Sequence, residues 1–346
     1  MQVNFASTLR RLSFFNLEGW GAAYDASCER GFVDYEPLNP GLFRVDRISG
    51  WPRVKKLLLK EERLDKVVGV ELWIFPFDVV VVSVEFDHSG SMFDLKNLSL
   101  RIKANRDYAA FAEKLATAEF ADQGFEVMGD DDNQYIQIRD AVKETILDEQ
   151  YQDITAILTG CDERFSDDFV EEIMGNIAPY TRDAYACLGS RCVIQVNTAI
   201  DDLFCLWIYQ CAYVRKNAVL ERFLDKQLQQ TYKLLTRPRR LLPLPSFSHS
   251  ELQSANPYKE HNLETVEKIS LPLEIFGVGF FSLANEAISE VLDIGAWQNA
   301  IKEKYDDIEN SFEQLENGYF SKNQELLEWL IILVILLSLV ISLVDH

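Results

Sequence analysis

The sequence is short of positive charge. Across its 346 residues, 34 lysines and arginines stand against 55 aspartates and glutamates, which leaves a formal net charge of -21. Phosphate contacts come from clustered lysine and arginine, so this balance argues against sequence-independent binding of nucleic acid. It also disfavours broad adsorption to anionic lipid headgroups. We therefore expect no nucleic-acid partner.

The short motifs of common active sites are also missing. The chain has no His-x-x-x-His, no G-x-S-x-G and no Walker-type glycine-rich loop. One Glu-x-x-His pair, Glu85 and His88, closes a predicted strand, where residues three apart point to opposite faces. The cluster of Asp87, His88, Ser89 and Ser91 is typical of a polar turn. We predict no catalytic, cofactor-binding or metal-binding residue.

A secretory leader is not apparent. The first 21 residues contain neither an uninterrupted apolar stretch nor a small-residue cleavage site, which predicts a reducing, cytoplasm-like compartment. The six cysteines are then free thiols. Cys187 and Cys192 are five apart, Cys205 and Cys211 are six apart, and neither spacing is that of a zinc site. We interpret the cysteines as small buried apolar residues.

Residues 1–140 alternate between strand-like and helix-like stretches, which predicts an α/β module with β-hairpins. The clearest hairpin joins residues 67–75 to residues 79–86 around Pro76. A second hairpin is predicted between residues 125–128 and 135–138.

Four further elements are predicted in the same module. Residues 42–48 and 98–104 have the composition of strands, and residues 51–64 and 108–120 have that of helices.

Residues 141–260 are predicted to be mainly helical and to end in a loop rich in proline and serine. Residues 191–196 are interpreted as a lone strand. Residues 198–235 predict one helix of almost forty residues without glycine or proline. Its middle, residues 204–214, is apolar nearly all round, which favours a buried core helix over a monotopic membrane contact. The predicted class for the whole chain is α+β.

Residues 261–325 predict an amphipathic helix with a heptad-type stripe. One interpretation is a coiled coil between copies of the chain. The other is an intramolecular helical hairpin with the helix at residues 198–235, which better explains the bulky aromatic positions. The stripe consists of Val291, Ile294, Gln298, Ile301, Tyr305, Ile308, Phe312, Leu315, Tyr319, Lys322, Leu326 and Trp329.

Residues 326–344 form the longest apolar run. Nineteen residues at about 1.5 Å each reach roughly 28 Å, close to the hydrocarbon thickness of a bilayer, and predict a transmembrane helix. The predicted anchor residues are Leu326, Leu327, Trp329, Leu330, Ile331, Ile332, Leu333, Val334, Ile335, Leu336, Leu337, Ser338, Leu339, Val340, Ile341, Ser342, Leu343 and Val344.

This anchor predicts a single-pass, tail-anchored membrane protein with its soluble bulk facing the cytoplasm. Trp329 stands where an interfacial aromatic belongs. Ser338 and Ser342 are small residues four apart that are able to line a contact between helices in lipid. The expected partners are a lipid bilayer and either another protein or further copies of the chain.

The last seventy or so residues resemble a family of membrane proteins named for "required for meiotic nuclear division". The likeness lies in the helix entered around Trp297, the acidic and aromatic stretch of residues 301–315, and the residues 327–332 that open the apolar run. The strand pair around residues 75–81 is also similar. The resemblance implies an α/β module, a helical hairpin and one membrane helix, with organising or scaffolding at a membrane rather than catalysis.

Three functional hypotheses remain open on the sequence. The first is a nonenzymatic scaffold or sensor that acts through its acidic domain. The second is an oligomeric effector whose terminal helices perturb or permeate a bilayer. The third is an enzyme of unrecognised type in the module at residues 1–140, for which converging carboxylates with perturbed pKa values would be the evidence.

Overall fold

The computed structural model describes residues 5–17, 26–35, 52–57, 67–121, 124–128, 133–139, 150–181, 184–197, 201–236 and 280–344. These residues have an α+β architecture with one mixed β-sheet, in agreement with the expected class. The chain divides into two compact units. The first comprises residues 1–216 and 267–295, and the second comprises residues 217–266 and 296–346.

The sheet lies in the first unit, and ten of its strands fall within the part of the chain that the structure describes. They are β1 (Phe5–Leu17), β2 (Val33–Asp34), β3 (Arg53–Leu57), β4 (Val67–Ile74), β5 (Val79–Gly90), β6 (Phe125–Val127), β7 (Asn133–Arg139), β8 (Ile177–Pro179), β9 (Tyr185–Leu188) and β10 (Cys192–Val196). Their spatial order is β2-β3-β4-β5-β1-β7-β10-β9-β8, and β6 also pairs with β1. β7 and β10 are parallel, and the other described pairs are antiparallel.

Strand β1 is the central strand, and the sequence analysis missed it. It pairs with β5 from Phe5 opposite Gly90 to Asn16 opposite Val79, and with β6 and β7 on its other side. Side chains alternate between the two faces of a strand, so the adjacent Arg10 and Arg11 point to opposite sides of the sheet. These two charges hide the apolar alternation that would otherwise mark the strand.

Helices cover both faces of the sheet. They are α1 (Met92–Ala104), α2 (Arg106–Glu119), α3 (Tyr151–Thr159), α4 (Asp167–Met174), α5 (Asp201–Leu235), α6 (Phe280–Val291) and α7 (Ile294–Val344). α1, α2 and α3 pack with Leu9, Phe86 and the other side chains of one face into the main apolar core. On the opposite face, Phe204 of α5 contacts the rings of Trp73 and Tyr135.

The hairpin predicted at residues 67–86 is confirmed. β4 and β5 pair from Val67 to Ile74, and the N–H of Asp78 donates to the carbonyl of Phe75 over 3.0 Å in the turn. Asp78 has a φ of 58°, in the left-handed region that Asp tolerates better than most residues.

Other local predictions were wrong. β6 and β7 both pair with β1 instead of forming a second hairpin with each other. Residues 98–104 belong to α1, because Leu95, Leu98 and Ile102 bury one helical face. Residues 53–57 form a strand within the range predicted as a helix. The strand predicted at residues 42–48 lies outside the described residues.

The helical prediction for residues 141–260 holds only in part. The long helix is present as α5, and shorter helices occur as α3 and α4. β8, β9 and β10 also fall in this range, and β10 is not a lone strand because it pairs with β7 and β9. The heptad stripe, read as continuous from Val291, is interrupted where α6 ends and Asp293 adopts a φ of 51°.

The prediction of a membrane-spanning helix is wrong on this structure. Among the described residues, none of the helices combines the length and the apolar character needed to cross a bilayer. In α7 the charged Glu325 and Glu328 interrupt the apolar character of the helix just before residues 329–336. Ionised carboxylates are costly inside the hydrocarbon core of a bilayer. The single-pass, tail-anchored assignment and its membrane localisation are corrected accordingly.

Candidate functional site

The first part of α7, around residues 301–315, makes contacts within the second unit. Lys304 donates to Glu221 over 2.8 Å and forms an ion pair with Asp225 at 2.7 Å, which joins α7 to α5. Desolvation lowers the pKa of Lys304, but the hydrogen bonds to the two carboxylates outweigh it and raise that pKa above its usual value. Ile301 and Leu315 are buried on the same helix. Over this stretch the contacts favour the intramolecular interpretation of the stripe.

The later part of α7 has the opposite character. We call residues 327–336 the apolar end; Glu328 is its one charged residue. The nine apolar side chains from Leu327 and Trp329 to Leu336 are between 47% and 61% exposed. Successive helical residues are rotated by about 100°, so this run of residues exposes apolar surface on every side of the helix. Helices that are apolar all round are normally covered by a partner.

The predicted anchor residues therefore differ in the exposure of their side chains. Leu326 is half-buried, whereas Leu327 and residues 329–336 form the exposed apolar end. The backbone of α7 continues to Val344, and the side chains of residues 337–344 lie outside those that the structure describes.

A second cluster of interest lies on the face of the sheet that α5 covers. Arg10 on β1 pairs with Glu85 on β5 at 3.2 Å, and its guanidinium lies 4.3 Å from the centre of the Phe204 ring. Two residues further along each strand, on the same face, Thr8 donates to Asp87 over 3.4 Å. Arg10 and Glu85 are half-buried and Asp87 is exposed, and the contacts pair the polar groups of neighbouring strands. The cluster positions β1, β5 and α5, and it has no geometry that singles out a reaction.

The polar row continues across the sheet. In register with Thr8 lie Gln137 on β7 and Gln195 on β10, both buried, and Tyr135 donates its hydroxyl to Gln195. Sequence reasoning missed this row because it depends on the register of four strands. The signal available was the alternation of apolar and polar residues along β7, from Ile136 to Arg139.

Lys216 is a buried cation of the first unit. It is 7% exposed and donates to the side-chain oxygen of Asn16 over 2.8 Å. Desolvation lowers the pKa of Lys216, and the nearby negative charge of Asp78 opposes that shift. Arg215, its neighbour on α5, donates to the carbonyl of Met128 over 2.5 Å. The two side chains fasten α5 to the end of the sheet, which is a structural use of a lysine that a sequence motif would not reveal.

The cysteines do not form a reactive centre. All six are free thiols; Cys28 and Cys161 are exposed and the other four are buried, so the buried interpretation holds for four of the six. Burial raises the pKa of Cys187 to about 12 and raises that of Cys192 further. A thiol with so high a pKa is protonated at neutral pH and is a poor nucleophile.

The Glu85 and His88 pair behaves as the strand geometry predicts. Glu85 lies opposite Arg10 and His88 lies opposite Ser7, so the two side chains are on opposite faces of the sheet. Ser91 donates to Asp94 over 2.6 Å and caps the first turn of α1. This capping box engages Ser91 in a structural role.

Among the described residues, no group of three or more histidine, cysteine and acidic side chains is placed to hold a metal ion. The feature with the clearest capacity for an external contact is thus the apolar end of α7. Comparisons of the chain with protein-family models, with curated proteins and with solved structures find no match.

Proposed function

We propose that this protein is a nonenzymatic scaffold or sensor that works by docking the apolar end of α7 onto an apolar partner. The observation that supports the proposal is the exposure of nine apolar side chains in residues 327–336. Large exposed apolar patches mark interaction sites, because leaving such surface in water is costly. Elsewhere in the described chain, exposed large apolar side chains such as Val33 and Phe93 are scattered and do not form an unbroken run, and the core side chains, for example Leu9, are buried.

A solvent-sensitive dye that fluoresces on apolar surfaces tests the docking element in the full chain, diluted until it sediments as a monomer so that the apolar end is accessible. The test variant is Leu330→Gln with Leu333→Gln, which removes two exposed leucines from the apolar end. The control is Val68→Gln with Leu283→Gln, because these residues are similarly exposed, at 54% and 56%, on the first unit.

The wild type and the control are expected to enhance the dye fluorescence equally, and the test variant to lose at least half of the enhancement. Equal fluorescence from the test variant and the control would refute the proposal, since the apolar end would then present no accessible surface of its own.

A further inference from the structure

We infer that the partner of the apolar end is the same segment of other copies of this chain, assembled as a bundle of three or more helices. The inference rests on the proposed function, because it identifies the occupant of the docking element. Two observations carry it: the spacing of the leucines at residues 326, 330 and 333, of which the last two are exposed, and the exposure of more than one face of α7.

The spacing supplies a seam for helix packing. Leu326, Leu330 and Leu333 follow one another at intervals of four and three residues, which is the spacing of the core positions of a coiled coil. A copy of the chain offers the same seam, so the surface is complementary to itself.

The exposed surface contains a second seam beside the first. Leu327, Ile331 and Val334 repeat the same intervals, one residue further along and therefore about 100° around the helix. A two-helix coiled coil uses one seam from each chain. A helix with two adjacent seams contacts two neighbours, and such head-to-tail contacts close into a ring of at least three members.

The size of the patch agrees with an assembly of several copies. An aliphatic side chain buries roughly 60–120 Å² when its transfer is worth ~1.5–3 kcal/mol at ~25 cal/mol/Å². Nine side chains that are each about half exposed therefore present roughly 300–600 Å² per chain. A specific interface needs about 1,000 Å² in total, which two copies reach only at the upper end and three or more reach readily.

Charge opposes the association of copies and predicts how the assembly responds to salt. The chain carries a net charge of -21, and Glu325 and Glu328 are exposed on the helix that bears the seams. Copies brought together at this helix repel one another through these carboxylates. Salt screens that repulsion, so self-association is expected to strengthen as ionic strength rises.

Sedimentation equilibrium of the full chain at 0.05 M and 0.5 M salt tests the inference, with the two double variants as test and control. The wild type and the control are expected at three or more times the 39.8 kDa of one chain, with tighter association at high salt. Leu330→Gln with Leu333→Gln is expected at the mass of the monomer, with an unchanged far-UV circular dichroism spectrum. A wild type that is monomeric or dimeric at both salt concentrations overturns the inference.

Flotation with neutral phosphatidylcholine vesicles separates failure of this inference from failure of the proposed function. If the wild type is a monomer that floats with the vesicles and the test variant does not, the occupant is lipid; self-association is then refuted and apolar docking stands. If the dye also fails to distinguish the test variant from its control, both proposals fall.

Discussion

Replacing Arg11 with methionine tests the central position of β1 and the boundary between α1 and α2. Arg11 is 2% exposed and donates to the carbonyl oxygens of Ile102 and Asn105 over 3.1 and 2.7 Å. Those carbonyls lie where α1 ends, so the guanidinium also faces the negative end of the helix dipole. Methionine keeps the apolar stem of the side chain but donates no hydrogen bond.

The expected loss follows from these two contacts. A hydrogen bond from a charged donor contributes about 1.5–3 kcal/mol, and the carbonyl that loses its donor stays buried. Relief of the cost of burying the guanidinium offsets part of the loss. We expect the free energy of unfolding to fall by about 3 kcal/mol.

Urea denaturation followed by far-UV circular dichroism measures this change. The matched control is Arg101→Met, the same substitution at an exposed position in the last turn of α1, which is expected to stay within about 0.5 kcal/mol of the wild type. If the Arg11 and Arg101 variants unfold at the same urea concentration, the buried contacts of Arg11 do not stabilise the fold and the reasoning fails.

Two further outcomes are expected. Because desolvation lowers the pKa of Lys216 in the folded chain, the unfolded chain binds more protons between that lowered pKa and about pH 10.5. The unfolding free energy of the wild type minus that of Lys216→Met should thus rise with pH in that window, and a flat difference in pH-dependent urea titrations would contradict it. Lys304→Met should lower the stability by up to about 1 kcal/mol in low salt and less in high salt, whereas Lys302→Met, at an exposed position, should not; equal melting temperatures for the two variants would exclude a stabilising role for the pairs with Glu221 and Asp225.

The elements that the sequence predicts correctly are those with an uninterrupted periodic pattern. The hairpin of β4 and β5 has β-branched and aromatic residues on both sides of a short turn, and α5 has a helical pattern without glycine or proline. Local propensity and tertiary packing agree in these elements, so periodicity alone is sufficient. Periodicity does not predict the central strand β1, because Arg10 and Arg11 are tolerated there only through partners on other elements.

The candidate sites also divide into features that the sequence predicts and features that depend on the tertiary structure. The sequence identifies the apolar character of residues 327–336, because composition is a local property. It interprets that run as part of a membrane span, whereas no described helix meets the length and apolar character of one. It does not identify the polar row from Thr8 to Gln195, because the row depends on strand register.

The sequence by itself determined the α+β class, the acidic surface, the free thiols and the presence of long helices, since each follows from composition or local spacing. Only the tertiary structure decided that β1 is the central strand and that Lys216 is buried against Asn16. It also decided that α7 contacts α5 at Lys304 but is exposed over residues 327–336. These features depend on contacts between residues far apart in the chain. A stripe of apolar residues indicates that a helix needs a packing partner. Only the contacts in the folded chain show which part of that helix already has one.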